Sequence, residues 1–252
     1  MKALITGASS GIGRELAKIL STQYEELILV ARNEEQLKNL QKTLSCNVTI
    51  IIADLANTNE RQKIIKFIQN HSPDLIINNA GSGLYGMVTD ISTQDQMHIL
   101  NLNVMALAEI TIEAIKTMKK SKKQGTILNI SSAAAFLPFP YFATYAASKA
   151  FVKHLSQSCY YETAPFGIKV LASCPGMVIT DFGRRAAGGS RKAKHSIFSM
   201  PVQKAAKIII KQIHQGKILK LFDWKYQVAI FFTKLLPKKL INKILKNILV
   251  KI

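Results

Sequence analysis

Thr6-Gly7-Ala8-Ser9-Ser10-Gly11-Ile12-Gly13 is the stretch on which the reading of this 252-residue chain turns. An apolar run, Ala3-Leu4-Ile5, precedes it and reads as a strand over 2–6, and the pattern that follows predicts a helix over 11–22. Glycine at such a junction makes the tight turn and lets backbone N–H groups approach a pyrophosphate, while the helix N-terminus adds a favourable dipole. Gly7, Gly11 and Gly13 differ in spacing from the G-x-G-x-x-G fingerprint, but the physics is the same. Together with Ser9, Ser10 and Ile12 they form a candidate phosphate cradle.

Outward from this loop, apolar β-branched runs alternate with helical patterns. Strands are predicted at 2–6, 26–31, 48–53, 74–78, 125–130, 168–173 and 218–222, and helices at 11–22, 34–45, 58–70, 93–119, 143–163 and 202–215. Strands alternating with helices make βαβ units, and right-handed crossovers wind them into one doubly wound parallel sheet with helices on both faces. The expected fold is thus α/β, with about seven strands in one domain over 1–223. A loop over 183–199 is expected to act as a lid, and 224–252 to form a separate tail. Ligands of such a sheet bind at the carboxyl ends of its strands.

The second strand ends at Arg32, and no acid occurs at 27–33. A site for NAD usually carries an acid here for the ribose 2′-OH, whereas Arg suits the 2′-phosphate of NADP. NADP(H) is therefore the expected cofactor, ahead of NAD(H), and Arg14 stands where it can assist. Asp54 and Leu55 follow the third strand; Asp54 suits either the adenine amino group or the cap of the next helix. Asn78-Asn79-Ala80-Gly81 ends the fourth strand, beside the expected cofactor.

Tyr145 and Lys149 stand four apart on a predicted helix and share a face. About one such pair is expected by chance in so lysine-rich a chain. Context gives it weight: Ser132 follows the fifth strand, thirteen residues before Tyr145. A phenol near ~10 exchanges protons poorly at neutral pH, and an adjacent ammonium is expected to lower that value. Ser132 can hold a substrate oxygen, and Asn103 can anchor a water that resupplies the proton.

Taken in order, Thr6–Gly13, Asn78–Gly81, Ser132, Tyr145, Lys149 and Pro175-Gly176 resemble the short-chain dehydrogenase/reductase family over about residues 2–215. The resemblance implies a Rossmann-type fold and a catalytic tetrad of Asn103, Ser132, Tyr145 and Lys149. It implies that Lys149 binds the nicotinamide ribose hydroxyls, and that Pro175, Gly176, Val178 and Thr180 fix the carboxamide. Val30-Ala31-Arg32-Asn33 and Tyr141–Val152 look like a bacterial, NADP-preferring branch. A homo-oligomer, dimer or tetramer, is expected. Two places depart from the family pattern: the lysine-rich Lys119–Lys123 loop, and Ala133-Ala134-Ala135 where a glycine is commoner. The expected activity is hydride transfer between NADP(H) and a carbonyl or alcohol.

Ser82–Tyr85, Ala133–Phe136, Phe139–Phe142 and Met177–Phe182 are expected to wall the pocket, and their apolar side chains favour a hydrophobic substrate. Arg184, Arg185, Arg191, Lys192 and Lys194 in the lid suit an anionic group such as a thioester carrier, which makes a 3-oxoacyl-thioester reductase the second enzyme reading. The net charge of +19 is concentrated after residue 183, where Asp223 is the lone acid. In the tail, Leu240, Ile241, Ile244, Leu245, Ile248 and Leu249 recur at helical spacing beside Lys239, Lys243 and Lys246. Such an amphipathic helix lies on an anionic membrane or packs on the domain or a sister subunit. A non-catalytic, NADPH-binding regulatory protein on the membrane is the rival from another class; an apolar stripe does not suit a nucleic-acid partner. Cys46, Cys159 and Cys174 match no disulfide framework or zinc spacing and read as buried thiols. With no apolar leader, they point to the cytoplasm, with attachment to the membrane periphery through 224–252.

Overall fold

The computed structural model describes residues 1–188 and 199–235. Its elements run β1 (Lys2–Thr6), α1 (Gly11–Leu20), β2 (Glu26–Ala31), α2 (Glu34–Gln41), β3 (Asn47–Ile52), α3 (Thr58–His71), β4 (Leu75–Asn78), α4 (Thr93–Leu100), α5 (Leu107–Lys120), β5 (Gly125–Ile130) and α6 (Ala143–Thr163). They continue through β6 (Ile168–Cys174), β7 (Met177–Ile179), α7 (Phe182–Ala186), β8 (Ser199–Pro201), α8 (Val202–Gln215), β9 (Leu219–Leu221) and α9 (Trp224–Leu235).

Seven strands form one parallel sheet in the order β3-β2-β1-β4-β5-β6-β9. Strand order reverses between β1 and β4, which opens a crevice at their carboxyl ends. β2 illustrates why the strands read as unbroken apolar runs. Leu27 and Leu29 point to the face that carries α1 and α8, and Ile28 and Val30 to the face that carries α3 and α5. Successive side chains alternate faces, and here both faces are covered. Each of these four side chains is wholly buried, worth roughly 1.5–3 kcal/mol apiece.

Helix starts follow their caps. The Asn33 side chain accepts from the Gln36 N–H at 2.8 Å to start α2, and Asn57 accepts from Asn59 and Glu60 to start α3. Asp54 is therefore not the cap of α3, because Asn57 lies one residue before the helix while Asp54 closes a turn onto the Ala56 N–H. At α1, Ser10 makes no side-chain cap and the first turn has no acid. The N–H groups there remain open to the crevice.

The expected helix over 93–119 is interrupted. Residues Asn101–Ala106 form a π-helical turn between α4 and α5, and Asn103 within it is wholly buried. One extra residue per turn swings Asn103 inward, a displacement that apolar periodicity does not report. By length and composition Thr93–Lys120 suffices to cross a membrane, but Ile99, Ala106, Ile110, Ala114 and Met118 on it are core residues.

Two short strands were not expected: β7 and β8 pair in parallel as a separate two-stranded sheet. α7 takes the first residues of the loop expected over 183–199, and β8 begins at its last residue. Arg191, Lys192 and Lys194, and the stripe Leu240, Ile241, Ile244, Leu245, Ile248 and Leu249 with Lys239, Lys243 and Lys246, lie outside the described residues. Cys159 and Cys174 are buried as expected, whereas Cys46 is only half-buried. Among the described residues no group of His, Cys, Asp and Glu is arranged to hold a metal ion.

Candidate active site

The glycine loop and the end of β4 are stapled together. The Thr6 hydroxyl accepts the Asn79 and Ala80 N–H groups, each at 3.0 Å, and the Asn79 amide donates to the Thr6 and Gly7 carbonyls at 3.0 and 3.1 Å. Asn79 thus holds the loop from behind, by a contact that spans 72 residues of sequence. Gly7 and Gly11 have φ of +65° and +55°, the left-handed region that favours glycine. A Cβ on Gly7 would lie 2.9 Å from the Ala80 Cα, and one on Gly13 would strike the Gly7 carbonyl. Only bare backbone lets these segments approach. The resulting cradle, with the uncapped N-terminus of α1, fits the pyrophosphate of a dinucleotide. Thr180 stands across the loop, 3.3 Å from where a Gly11 Cβ would be.

At the far edge, the Arg32 guanidinium lies 3.5 Å from the Asp54 carboxylate, with the side chains 68% and 31% exposed. The two residues read separately as cofactor ligands are partners here. Leu55 turns its side chain into the core, and its carbonyl accepts from Arg61 at 2.8 Å. Sequence reasoning missed Arg61. It is 3% exposed and makes two bonds to the Glu109 carboxylate, at 2.7 and 2.9 Å, which pin α3 to α5 behind the adenosine end. One arginine on a helix with four other charged or amide neighbours gives no periodic signal of burial.

The catalytic end is buried. Tyr145 and Lys149, one turn apart on α6, are 8% and 4% exposed. The Lys149 Nζ donates to the Ile130 carbonyl at 2.9 Å and stands 5.7 Å from the Tyr145 ring centre. Burial pushes the Tyr145 phenol up to about 12, and a hydrogen bond with Ser132 pulls in the opposite direction. Burial also brings the Lys149 ammonium down to about 8. The expectation that the adjacent Lys149 lowers the phenol is corrected: desolvation raises it, and the group that pulls it down is Ser132. The Cys174 thiol beside this pair is itself pushed up to about 12 by burial, and so stays neutral.

Ser132 follows β5 and begins a short turn, accepting the Ala134 N–H at 3.1 Å. Ser131 beside it donates to the Lys149 carbonyl at 2.6 Å, tying the strand end to α6. The Asn103 amide makes three hydrogen bonds. Its oxygen accepts the Ser82 N–H at 3.0 Å, and its nitrogen donates to the Ser82 carbonyl at 2.8 Å and the Ser148 hydroxyl at 3.0 Å. The amide thereby links the Gly81-Ser82 loop to α6, and its oxygen keeps a second acceptor position. A Cβ on Gly81 would lie 3.2 Å from the Asn103 oxygen and 3.3 Å from the Lys149 Nζ, so the three share one corner.

Aromatic rings gather around Tyr145. Phe142 stacks on Tyr145 at 4.2 Å, Phe182 tilts against it at 5.5 Å, and Tyr85 stacks on Tyr141 at 6.0 Å. The Pro175 carbonyl accepts the Ala133 N–H at 2.8 Å, which fixes the Pro175-Gly176 turn to the Ser132 turn. Val178 packs against the core, and the Thr180 hydroxyl accepts the Phe182 N–H at 3.3 Å.

Comparison with known proteins agrees with this geometry. The short chain dehydrogenase family model matches residues 1–189. An uncharacterised oxidoreductase of Staphylococcus epidermidis is 32% identical over 191 residues, which cover 73% of this chain and 83% of that protein. A 3-oxoacyl-acyl-carrier-protein reductase of Rickettsia prowazekii is 36% identical over 191 residues, covering 76% of this chain and 78% of that protein. A short-chain dehydrogenase from Sphingobium yanoikuyae, solved in complex with NADPH, superposes with a TM-score of 0.81 at 26% identity, covering 92% of this chain and 93% of that one. The Rossmann-type sheet, the glycine cradle at its switch point and the extent of these matches make the chain an oxidoreductase of the short-chain dehydrogenase family, with a nicotinamide dinucleotide as its cofactor.

Proposed function

We propose that the protein interconverts a hydrophobic carbonyl compound and its alcohol, using NADP(H), with Tyr145 as the proton donor and acceptor. The observation that carries this reading is the burial of Tyr145 and Lys149 beside the half-buried Ser132 turn at the carboxyl end of the sheet, behind aromatic rings. A nicotinamide dinucleotide held in the glycine cradle would supply hydride-transfer chemistry. Gly7, Ser9, Ser10, Gly11, Ile12 and Gly13 would hold its pyrophosphate; Asp54, Leu55, Ala80 and Gly81 would line its binding crevice; Pro175, Gly176, Val178 and Thr180 would hold the carboxamide.

The chain's own part is proton chemistry. Tyr145 is protonated at neutral pH and can donate to the substrate oxygen as negative charge develops on it. Ser132 donates a second hydrogen bond to that oxygen. Lys149 is charged below about 8, and its field favours the phenolate left behind. In the oxidative direction the same phenolate takes the alcohol proton. The rings of Tyr85, Phe142 and Phe182 keep water away from the charged intermediate stage. Asn103 acts at one remove, by holding Ser82 and Ser148.

NADP(H) rather than NAD(H) is favoured by Arg32, which is 68% exposed at the adenosine end and free to exchange the Asp54 carboxylate for a 2′-phosphate. The test is an NADPH-oxidation screen over carbonyls of increasing chain length, with Tyr145→Phe as control. Turnover in this screen that survives Tyr145→Phe overturns the assignment. A second reading, reduction of a 3-oxoacyl thioester, is favoured by the identity to the Rickettsia reductase and by the exposed Arg184 and Arg185 beside the pocket. Activity on carrier thioesters but not on free ketones selects it. Self-association into a dimer or tetramer is supported by exposed Met105, Ile112 and Phe151 on the helices that flank β5.

A further inference from the structure

α9 has two unlike faces. Its inner face holds the nicotinamide segment: the Tyr226 hydroxyl accepts the Met177 N–H at 3.0 Å, and the Tyr226 ring occupies the space that a side chain at Gly176 would need. Tyr226 is half-buried, and Ile230, one turn on, is buried. Its outer face carries Trp224, Val228, Phe231 and Phe232, which are 67%, 42%, 60% and 56% exposed. Their spacing of four, three and one residues places them on one helical stripe. Three exposed aromatic side chains on twelve residues of helix are far from the ordinary use of such residues, which is burial.

Past Asp223 the sequence carries charge of one sign. Residues 224–252 contain seven lysines and no Asp or Glu. We propose that α9 docks the enzyme on an anionic lipid surface, with Trp224, Phe231 and Phe232 in the boundary between headgroups and acyl chains and the lysines on lipid phosphates. Aromatic rings favour that boundary, and lysine stems reach past it to keep the charge in water. A second copy of this chain fits the face poorly, because pairing it with itself would oppose two lysine-only segments. The contact between Tyr226 and Met177 sets the docked helix against the nicotinamide segment. The substrate mouth then opens beside the lipid, and the carbonyl substrate is one dissolved in the bilayer. That last step rests on the function proposed above; the docking does not.

Trp224 is the single tryptophan of the chain, so its fluorescence reports the stripe directly. The full-length protein is mixed with vesicles of phosphatidylcholine alone, or with about one-third phosphatidylglycerol, at physiological ionic strength. Docking shifts Trp224 emission to shorter wavelength and floats the protein with the anionic vesicles only. The double variant Phe231→Ser/Phe232→Ser, with its melting temperature and NADPH affinity unchanged, is expected to bind them about tenfold or more weakly. The proposal is overturned if Trp224 emission does not move. It is also overturned if the double variant binds as well as the parent, since lysines alone would then suffice. A smaller particle for the variant in sedimentation would assign the face to self-association instead. Docking without turnover on any carbonyl would count against the proposed reaction and leave the docking intact.

Discussion

Two pairs of polar side chains mark the two ends of the proposed cofactor site, and they sit in opposite environments. Arg32 and Asp54 meet at 3.5 Å in the open, on loops that follow neighbouring strands. Tyr145 and Lys149 are buried on one helix, the phenol pushed up to about 12 and the ammonium brought down to about 8. Water screens the first pair, so its rearrangement costs little and a competing anion can take the arginine. No water screens the second pair, so every change of charge is felt by its neighbour. The open pair suits recognition, and the closed pair suits chemistry.

Removing the phenol breaks the contrast most severely. Tyr145→Phe is expected to lower kcat about 100- to 10,000-fold, the usual share of general acid–base catalysis, while NADPH binding followed by fluorescence stays the same. The second test uses pH. Burial disfavours the Lys149 ammonium, so the folded protein binds fewer protons than the unfolded chain between about 8 and the free value of 10.5. Stability attributable to this group therefore rises through that window, and below it the fold carries the whole cost, on the order of 3 kcal/mol. Lys149→Met is expected to raise the melting temperature at pH 7 and to lose that advantage between pH 8 and 10.5, as read by calorimetry at matched pH values. The Tyr145 shift acts in the other direction and higher up: its proton is retained to about 12, so stability declines above pH 10 in both proteins.

Smaller effects sharpen the same comparison. Asn103→Ala leaves the part-buried Ser82 N–H and carbonyl without their partner and removes a donor from the buried Ser148 hydroxyl. It is expected to cost about 1–3 kcal/mol in urea unfolding and to lower kcat more than it raises KM, because it loosens Ser82 and α6 without touching substrate. At the open end, Arg32→Ala is expected to weaken NADPH about tenfold and leave NADH unchanged in a thermal-shift titration. Equal stabilisation of the parent by NADH and NADPH would remove the role assigned to Arg32.

Much of this frame is legible in the residue order. Parallel strands buried on both faces become apolar runs such as Leu27–Ala31, and each of the seven predicted strands lies within one or two residues of an observed one. What escapes is non-local or non-periodic. The π-helical turn at Asn101–Ala106 keeps the apolar rhythm of a longer helix, so nothing local announces it. β7 and β8 are three residues each and pair across a gap of twenty, too short for alternation to register. Asn79 looks like a ligand because it stands at a strand end, yet its amide faces back to Thr6 and Gly7. Arg61 resembles a solvated helix residue until Glu109 comes across from α5.

The order of residues settles where backbone must turn tightly, which faces must be covered, and which side chains of the right chemistry stand at strand ends, because these depend on neighbours within a few positions. Gly7, Gly11, Ser132, Tyr145 and Lys149 belong to that class. Charge state belongs to the other. Whether Tyr145 is an easy or a reluctant acid depends on how much water the fold leaves around it, and that is set by Phe142, Phe182, Ser132 and Cys174, which reach it from different parts of the chain. The pairing of Arg32 with Asp54 is likewise a matter of two parallel strands ending side by side. Spacing along the chain supplies the groups; desolvation and long-range contact decide what they do.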